Sequence, residues 1–422
     1  MSAARAPLAD LYAEAVAAVD PRRVLPRHSH IEGVSWVFER DGRRVVLTPP
    51  ARGTGARLRV IGIGKAADTM AMGLLAALPA GFEIDDALVI CSSPPAPGVL
   101  PAHWQVLAGD HPLPGGRSLA AGHAVSAFAD AARPGDRHLV LLTGGASALC
   151  VSPAPGVTLE QKMAATRALM HAGAPIAELN ALRKRLSTLK GGRLATRIEA
   201  RGATVATLAV SDVQGDDLSV IGSGPTVRGP VAASAAGVAA ETVDAAVVAT
   251  LDDALAAVVA SGERRGLRVV SLGRTLYGEV AVHAAQLAER LLGIRRLAAA
   301  KSGAVAPTLV VAGGEPVLRV TGDGRGGRAQ ELALRVAQRI MGVEGVTLLA
   351  AGTDGIDGPT TAAGGFADGG TLARIAAAGL DVDRALERND SYAALAAAGD
   401  LFVPGPTGTN VADVVVALVD GR

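Results

Sequence analysis

At 422 residues the chain is longer than one hydrophobic core ordinarily serves, so two domains with a cleft between them are the expected organisation. Its 41 basic and 40 acidic side chains nearly cancel, which leaves no overall field to steer it onto nucleic acid or anionic lipid, and no apolar run is long enough to span a bilayer. Apolar residues make up 49% of the chain but aromatic ones only 2%, so the cores must be built from Ala, Val, Leu and Ile, and the partners expected are small molecules rather than nucleic acid or membrane.

The first twenty residues carry Asp10 and Glu14 within an Ala-rich helical pattern, unlike the unbroken apolar region of a secretory signal. Cys91 and Cys150 stand far apart and outside any disulfide or zinc spacing, so both are expected to be buried free thiols in a reducing, cytoplasmic protein. His28 and His30 lack a companion ligand cluster and are assigned to a surface strand. From there, short apolar runs at 58–61, 87–90, 139–142 and 205–210 alternate with helical stretches, the pattern of a mostly parallel sheet covered by helices. In such sheets ligands gather at the carboxyl ends of strands. The loops there are Gly62-Ile63-Gly64-Lys65, Thr143-Gly144-Gly145-Ala146-Ser147 and Ser211-Asp212-Val213-Gln214-Gly215-Asp216-Asp217.

Residues 228–245 are rich in small side chains and poor in strand signal, and the domain boundary is placed within them, giving domains 1–238 and 239–422. A second αβ series follows, with strands at 267–272, 308–311, 346–349 and 414–418. Its polar loops are Gly322-Asp323-Gly324-Arg325-Gly326-Gly327-Arg328, before a helix at 329–341, and Thr353-Asp354-Gly355-Ile356-Asp357-Gly358.

Gly62-Ile63-Gly64-Lys65-Ala66-Ala67 formally fits a dinucleotide fingerprint, but Asp85 and Asp86 precede the next strand instead of ending it, which disfavours a nicotinamide cofactor. Lys65 beside helix-start N–H groups suits a phosphate or carboxylate. The pair Gly144 and Gly145 can form an anion-binding nest to which Ser147 adds a hydroxyl, while G-x-S-x-G is absent, which argues against a serine hydrolase. Asp212, Asp216, Asp217, Asp354 and Asp357 offer carboxylates for a metal–nucleotide complex or for the attacking hydroxyl; Asp-Gly turns and helix caps are the competing use. Four glycines around Arg325 and Arg328 read as backbone making room for a ligand whose phosphates the guanidinium groups hold. His111 is open between touching substrate and holding its loop. No Walker A sequence is present.

Together these segments resemble the class II glycerate kinases, whose C-terminal half is the MOFRL domain. The likeness runs through Lys65-Ala66, Asp110-His111-Pro112, Leu182-Arg183-Lys184, Lys190-Gly191-Gly192-Arg193-Leu194, Ser223-Gly224-Pro225-Thr226, Gly324-Arg325-Gly326-Gly327-Arg328 and Gly405-Pro406-Thr407-Gly408-Thr409-Asn410. It implies an α/β fold of two domains, a Rossmann-like N-terminal one and a second α/β one, with phosphorylation of D-glycerate to 2-phosphoglycerate by ATP and a divalent metal, Mg²⁺, in the interdomain cleft. Carried over, Lys65, Arg325 and Asp212 are catalytic. Ser147, Gly144, Gly145, Arg185 and Asp354 bind the acid, and Lys190, Gly326, Gly327, Arg328 and Thr407 bind the nucleotide. Asp212, Asp217 and Asp354 are the metal ligands. The family usually has glycine, histidine and aspartate where Ala146, Arg185 and Thr361 stand here, so the acceptor pocket is expected to differ. An NAD(P)H-dependent hydroxypyruvate reductase and a non-catalytic sugar-acid-binding protein are the alternatives, and the pattern is compatible with a homodimer.

Overall fold

The computed structural model describes residues 4–50, 53–172, 176–227, 241–242, 244–300 and 306–420. The chain divides into two compact units. The first comprises Asp20–Thr250 with Gly408–Asn410, and the second Met1–Val19, Leu251–Thr407 and Val411–Arg422. The division therefore falls at 250/251, whereas the boundary read from the sequence at 238/239 lies outside the described residues. The amino-terminal residues also belong with the second unit and not with the first, as expected from chain order.

In the first unit, strands β1 (Ser29–Glu32), β2 (Ser35–Arg40) and β3 (Arg43–Leu47) form an antiparallel meander that buries Trp36 and Phe38. His30 lies on its exposed edge strand. The main sheet contains β4 (Leu58–Ile63), β5 (Asp86–Cys91), β6 (Gln105–Ala108), β7 (Arg137–Leu142) and β8 (Thr204–Val210). A short β9 (Glu241–Thr242) joins the meander, and β10 (Ala245–Ala249) completes the main sheet in the order β10-β8-β7-β4-β5-β6, every pair parallel. Relabelled by succession within the sheet this is 3-2-1-4-5-6, the doubly wound order of Rossmann sheets, with its reversal point between β4 and β7. Strands β4, β5 and β7 are buried on both faces, as parallel strands between helix layers must be, and the residues packed there are Ile61, Leu88, Val140, Leu142, Leu194 and their aliphatic neighbours. Both cysteines are buried free thiols.

The second unit carries β11 (Arg268–Glu279), β12 (Thr308–Val317), β13 (Val346–Gly352), β14 (Gly364–Asp368), β15 (Leu401–Phe402) and β16 (Asp413–Val419) in the order β11-β12-β16-β13-β14-β15. Only β11 and β12 pair in parallel; the remaining neighbours are antiparallel. The mostly parallel sheet expected along the whole chain thus holds for the first unit alone. The last strand inserts between β12 and β13, so a strand–helix alternation in sequence does not become a parallel series in space. Helix Arg5–Ala18 docks on this unit through buried Leu8 and Leu11, and the Tyr12 hydroxyl donates to Gly352 O at 2.7 Å. Arg5 ion-pairs with Asp368 at 3.0 Å and with the fully buried Asp400.

Candidate active site

The reversal point of the first sheet is where the sequence set its most polar turns. Two strand ends are laced together there. Thr143 N–H donates to Ile63 O (3.0 Å), Lys65 N–H to Gly144 O (2.9 Å), and Ala66 N–H to the Thr143 hydroxyl (3.1 Å). The backbone after β4 and the backbone after β7 consequently move as one piece, with Lys65 half-buried at their junction.

Gly145 sits at φ +82°, in the left-handed region, and a Cβ there would come within 2.9 Å of Lys65 Cγ and 3.3 Å of His111 Cδ2. Gly144 has no room for a Cβ because Asp212 Oδ2 occupies that space, with Asn410 Nδ2 at 2.5 Å from the same point. The diglycine turn is thus flanked by Lys65 and His111 on one side and Asp212 and Asn410 on the other. Asn410 donates to Asp212 Oδ2 at 2.9 Å, and the Thr69 hydroxyl donates to Gly408 O, seating 408–410 in this unit. Asp110 holds the His111 loop by accepting from Arg117 N–H (2.9 Å) and Arg117 Nε (2.6 Å); the Arg117 partner keeps its carboxyl below the ordinary range. Asp110 thus helps to hold this loop, and exposed His111 stands next to Gly145.

Ser147 opens a different set of contacts. Its hydroxyl meets Ser223 Oγ at 3.0 Å and accepts from Lys190 Nζ at 3.0 Å, while Lys190 also donates to Gly222 O at 3.0 Å. Ser147 and Lys190, assigned above to acid and nucleotide respectively, share a hydrogen bond. Gly191 N–H and Gly192 N–H donate to Ser223 O and Gly224 O at 3.0 and 2.8 Å, which explains why the two motifs occur together. Arg185 ends the helix Ile176–Arg185 exposed to solvent. Asp217 Oδ1 accepts from Ser219 N–H at 2.8 Å, the use of an aspartate that shapes its own turn.

In the second unit Arg325 is exposed and its backbone is fixed at both ends, N–H to Asp390 Oδ1 at 3.0 Å and C=O from Tyr392 N–H at 2.9 Å. Its guanidinium carbon stands 5.2 Å from the Tyr392 ring centroid, and Nη2 donates to Pro359 O at 3.4 Å. Arg328 is committed differently. Nε and Nη2 donate to Asp413 at 2.7 and 3.0 Å and Nη1 to Glu315 at 2.5 Å, so each of its three nitrogens donates to a carboxylate of the same unit. The glycines around these arginines also serve packing. A Cβ on Gly326 would collide with Ser391 Oγ, and one on Gly327 with the Asp357 carboxylate. Close packing within the fold excludes side chains at both positions. Asp357 in turn accepts from Gln330 N–H at 2.8 Å at the start of helix Arg328–Arg339. Asp354 Oδ1 accepts from Ile356 N–H at 3.1 Å, and the Thr407 hydroxyl donates to Thr353 O at 2.6 Å. Among the described residues, no three His, Cys, Asp or Glu side chains gather as a metal-binding group, and no helix is long and apolar enough to cross a membrane.

Asn410 is the residue the sequence hid, 198 positions from its partner Asp212. Only its place in the Gly405–Asn410 motif hinted at a role.

Residues 7–260 match the model described as a domain of unknown function (DUF4147), and residues 308–413 match the MOFRL family. A D-glycerate 2-kinase of Thermotoga maritima is 35% identical, covering 86% of this chain and 91% of its own. A glycerate 2-kinase of Pyrococcus horikoshii is 31% identical over 98% and 96%. A protein of Agrobacterium vitis, provisionally named a hydroxypyruvate reductase, is 36% identical over 89% and 90%. The crystal structure of a glycerate kinase from T. maritima is similar with a TM-score of 0.74 at 30% identity, over 98% of this chain and 99% of that one. These likenesses place the chain among two-domain α/β phosphotransferases. Their extent, nearly end to end, exceeds what a shared Rossmann sheet alone would produce. The chain belongs to the glycerate kinase family that carries the MOFRL domain.

Proposed function

We propose that this chain transfers a phosphoryl group from ATP to a hydroxyl of D-glycerate, yielding 2-phosphoglycerate. The observation that carries the reading is the diglycine turn at the sheet reversal point, with the Lys65 side chain on one flank and the Asp212 carboxylate on the other. A nucleotide triphosphate and a carboxylate acid repel each other, two unit charges 4 Å apart by about 4 kcal/mol at an effective dielectric near 20. Lys65 offsets that repulsion for the anions that approach the turn. Asp212, oriented by Asn410, accepts the proton of the attacking hydroxyl. Arg325, fixed through its backbone, is the second cation, and the reading requires it to reach the same phosphates.

Mg²⁺ is commonly held by one or two carboxylates with phosphate and water completing its shell, so a three-carboxylate cluster is not needed for a single carboxylate such as Asp354 to take part. When bound, the ion would neutralise phosphate charge. Support for ATP as donor comes from the kinase names of the relatives. Ala146 and Thr361, which depart from the family pattern, are respectively buried at the start of helix Ala146–Leu149 and exposed beside the Tyr392 hydroxyl at 3.3 Å.

The test is ADP release with D-glycerate, ATP and Mg²⁺, with the product identified by phosphorus NMR. Lys65→Ala is expected to lower kcat/KM by about 100-fold or more. Lys65→Ala turning over like the parent, or NAD(P)H consumption with hydroxypyruvate in the absence of ATP, would defeat the proposal.

A further inference from the structure

Beside the Ser147 turn, the first unit contains a cavity of about 510 Å³ whose charged lining is Lys162, Arg167, Arg183 and Lys190. None of the described residues lining it is acidic. Lys162 is only 5% exposed and its Nζ has no hydrogen-bond partner, while Lys190, 4% exposed, donates to the neutral oxygens of Ser147 and Gly222. Burying an unpaired ammonium costs several kcal/mol. The strain registers in the amines themselves. Burial pushes Lys162 down to about 8 and Lys190 down to about 7, and Arg183 lowers both further. Cys150, the other titratable neighbour, is itself pushed up to about 12 by burial and so stays a neutral thiol. Among the described residues no acidic side chain lines the cavity, so an anion bound there would favour the charged forms of these basic groups.

Apart from Ser147 and Thr166 the rest of the wall is apolar and includes Pro112, Leu113, Val151 and Met163, and Leu113 is left 62% exposed. A three-carbon acid has no use for such a wall, would fill a small part of the volume, and carries one negative charge against four positive ones. A nucleotide has the matching parts: a flat apolar base, and phosphates whose summed charge approaches that of the lining. Sites of this size, mostly apolar with a few convergent charges, are typical of cofactor-sized ligands.

We propose that this cavity is the nucleotide site, with Lys162, Arg183 and Lys190 on the phosphates and the Pro112–Leu113 edge with Val151 and Met163 against the base and sugar. The assignment rests on the kinase reading above and adds the place of the donor. It also makes Lys162, a residue that no motif marks, a binding residue.

The experiment is calorimetric titration of Mg·ATP, without acceptor, into the parent, Lys162→Met and Leu113→Asp, with D-glycerate titrated separately. Both variants are expected to weaken ATP by about tenfold or more while leaving D-glycerate affinity within about twofold. Lys162→Met should also melt higher than the parent without ligand, because an apolar chain replaces an unpaired buried charge. Leu113 is exposed, so Leu113→Asp tests the apolar wall without disturbing a core. ATP affinity equal to the parent's in both variants overturns the assignment and leaves the kinase reading standing. A fall confined to D-glycerate overturns it in favour of the acid. Absence of ATP binding to the parent defeats both.

Discussion

Gly144 shows how closely a single residue sets this chemistry. Its missing side chain is the space that Asp212 Oδ2 occupies, so Gly144→Ala must push either the turn or the carboxylate aside. A shift of about 1 Å at a reacting group commonly costs about 100-fold, and that loss in kcat is expected for Gly144→Ala with little change in melting temperature. Unaltered kcat would mean that Asp212 has no part in the reaction. Residues such as Lys65, Gly144 and Gly145 are legible in sequence because they punctuate strand ends, where chain geometry itself creates ligand sites. Lys162 is not legible. In helix Leu159–His171 it reads as one more surface charge, and only the packing around it reveals that it is buried.

At the scale of elements, helix Arg328–Arg339 begins against Asp357, whose carboxyl is pushed up to about 7, first by burial and then by Asp413. A folded-state value above the ordinary 3.8 means that the folded protein holds a proton which the unfolded chain has released between about pH 4 and 7. Stability from this group therefore falls as pH rises through that window and levels off above it. Melting curves of the parent and Asp357→Asn across pH 4–8 test this: the difference between them should shift steadily in favour of the asparagine variant up to about pH 7. A difference that does not change with pH would refute it. The sequence showed the helix and its glycine-rich entry, but not the packing that those glycines serve. Gly326 and Gly327 clear space for Ser391 and Asp357, partners 65 and 30 positions away, which no local pattern encodes. The pairing of Arg328 with Asp413, 85 positions away, was likewise not legible in the sequence.

At the scale of the whole molecule, the chain passes from one unit to the other at 19/20, 250/251, 407/408 and 410/411. The opening helix therefore contributes to the second unit's stability. Tyr12→Phe removes the bond to Gly352 O and is expected to cost about 1–2 kcal/mol, read as reduced hydrogen-exchange protection in β13. Protection equal to the parent's would contradict that placement. Composition and periodicity were enough to determine an α/β protein with aliphatic cores and four strands of the Rossmann-ordered sheet, β4, β5, β7 and β8, with the loops that end them, while β6 and β10 were not read. Those features depend on contacts between near neighbours or on strand ends as such. Tertiary structure alone decided that β16 inserts centrally and makes the second sheet largely antiparallel, that Asn410 meets Asp212, and that four cations share one cavity. Each depends on residues far apart in the chain being brought into register, where burial and pairing, not local preference, determine what a side chain does.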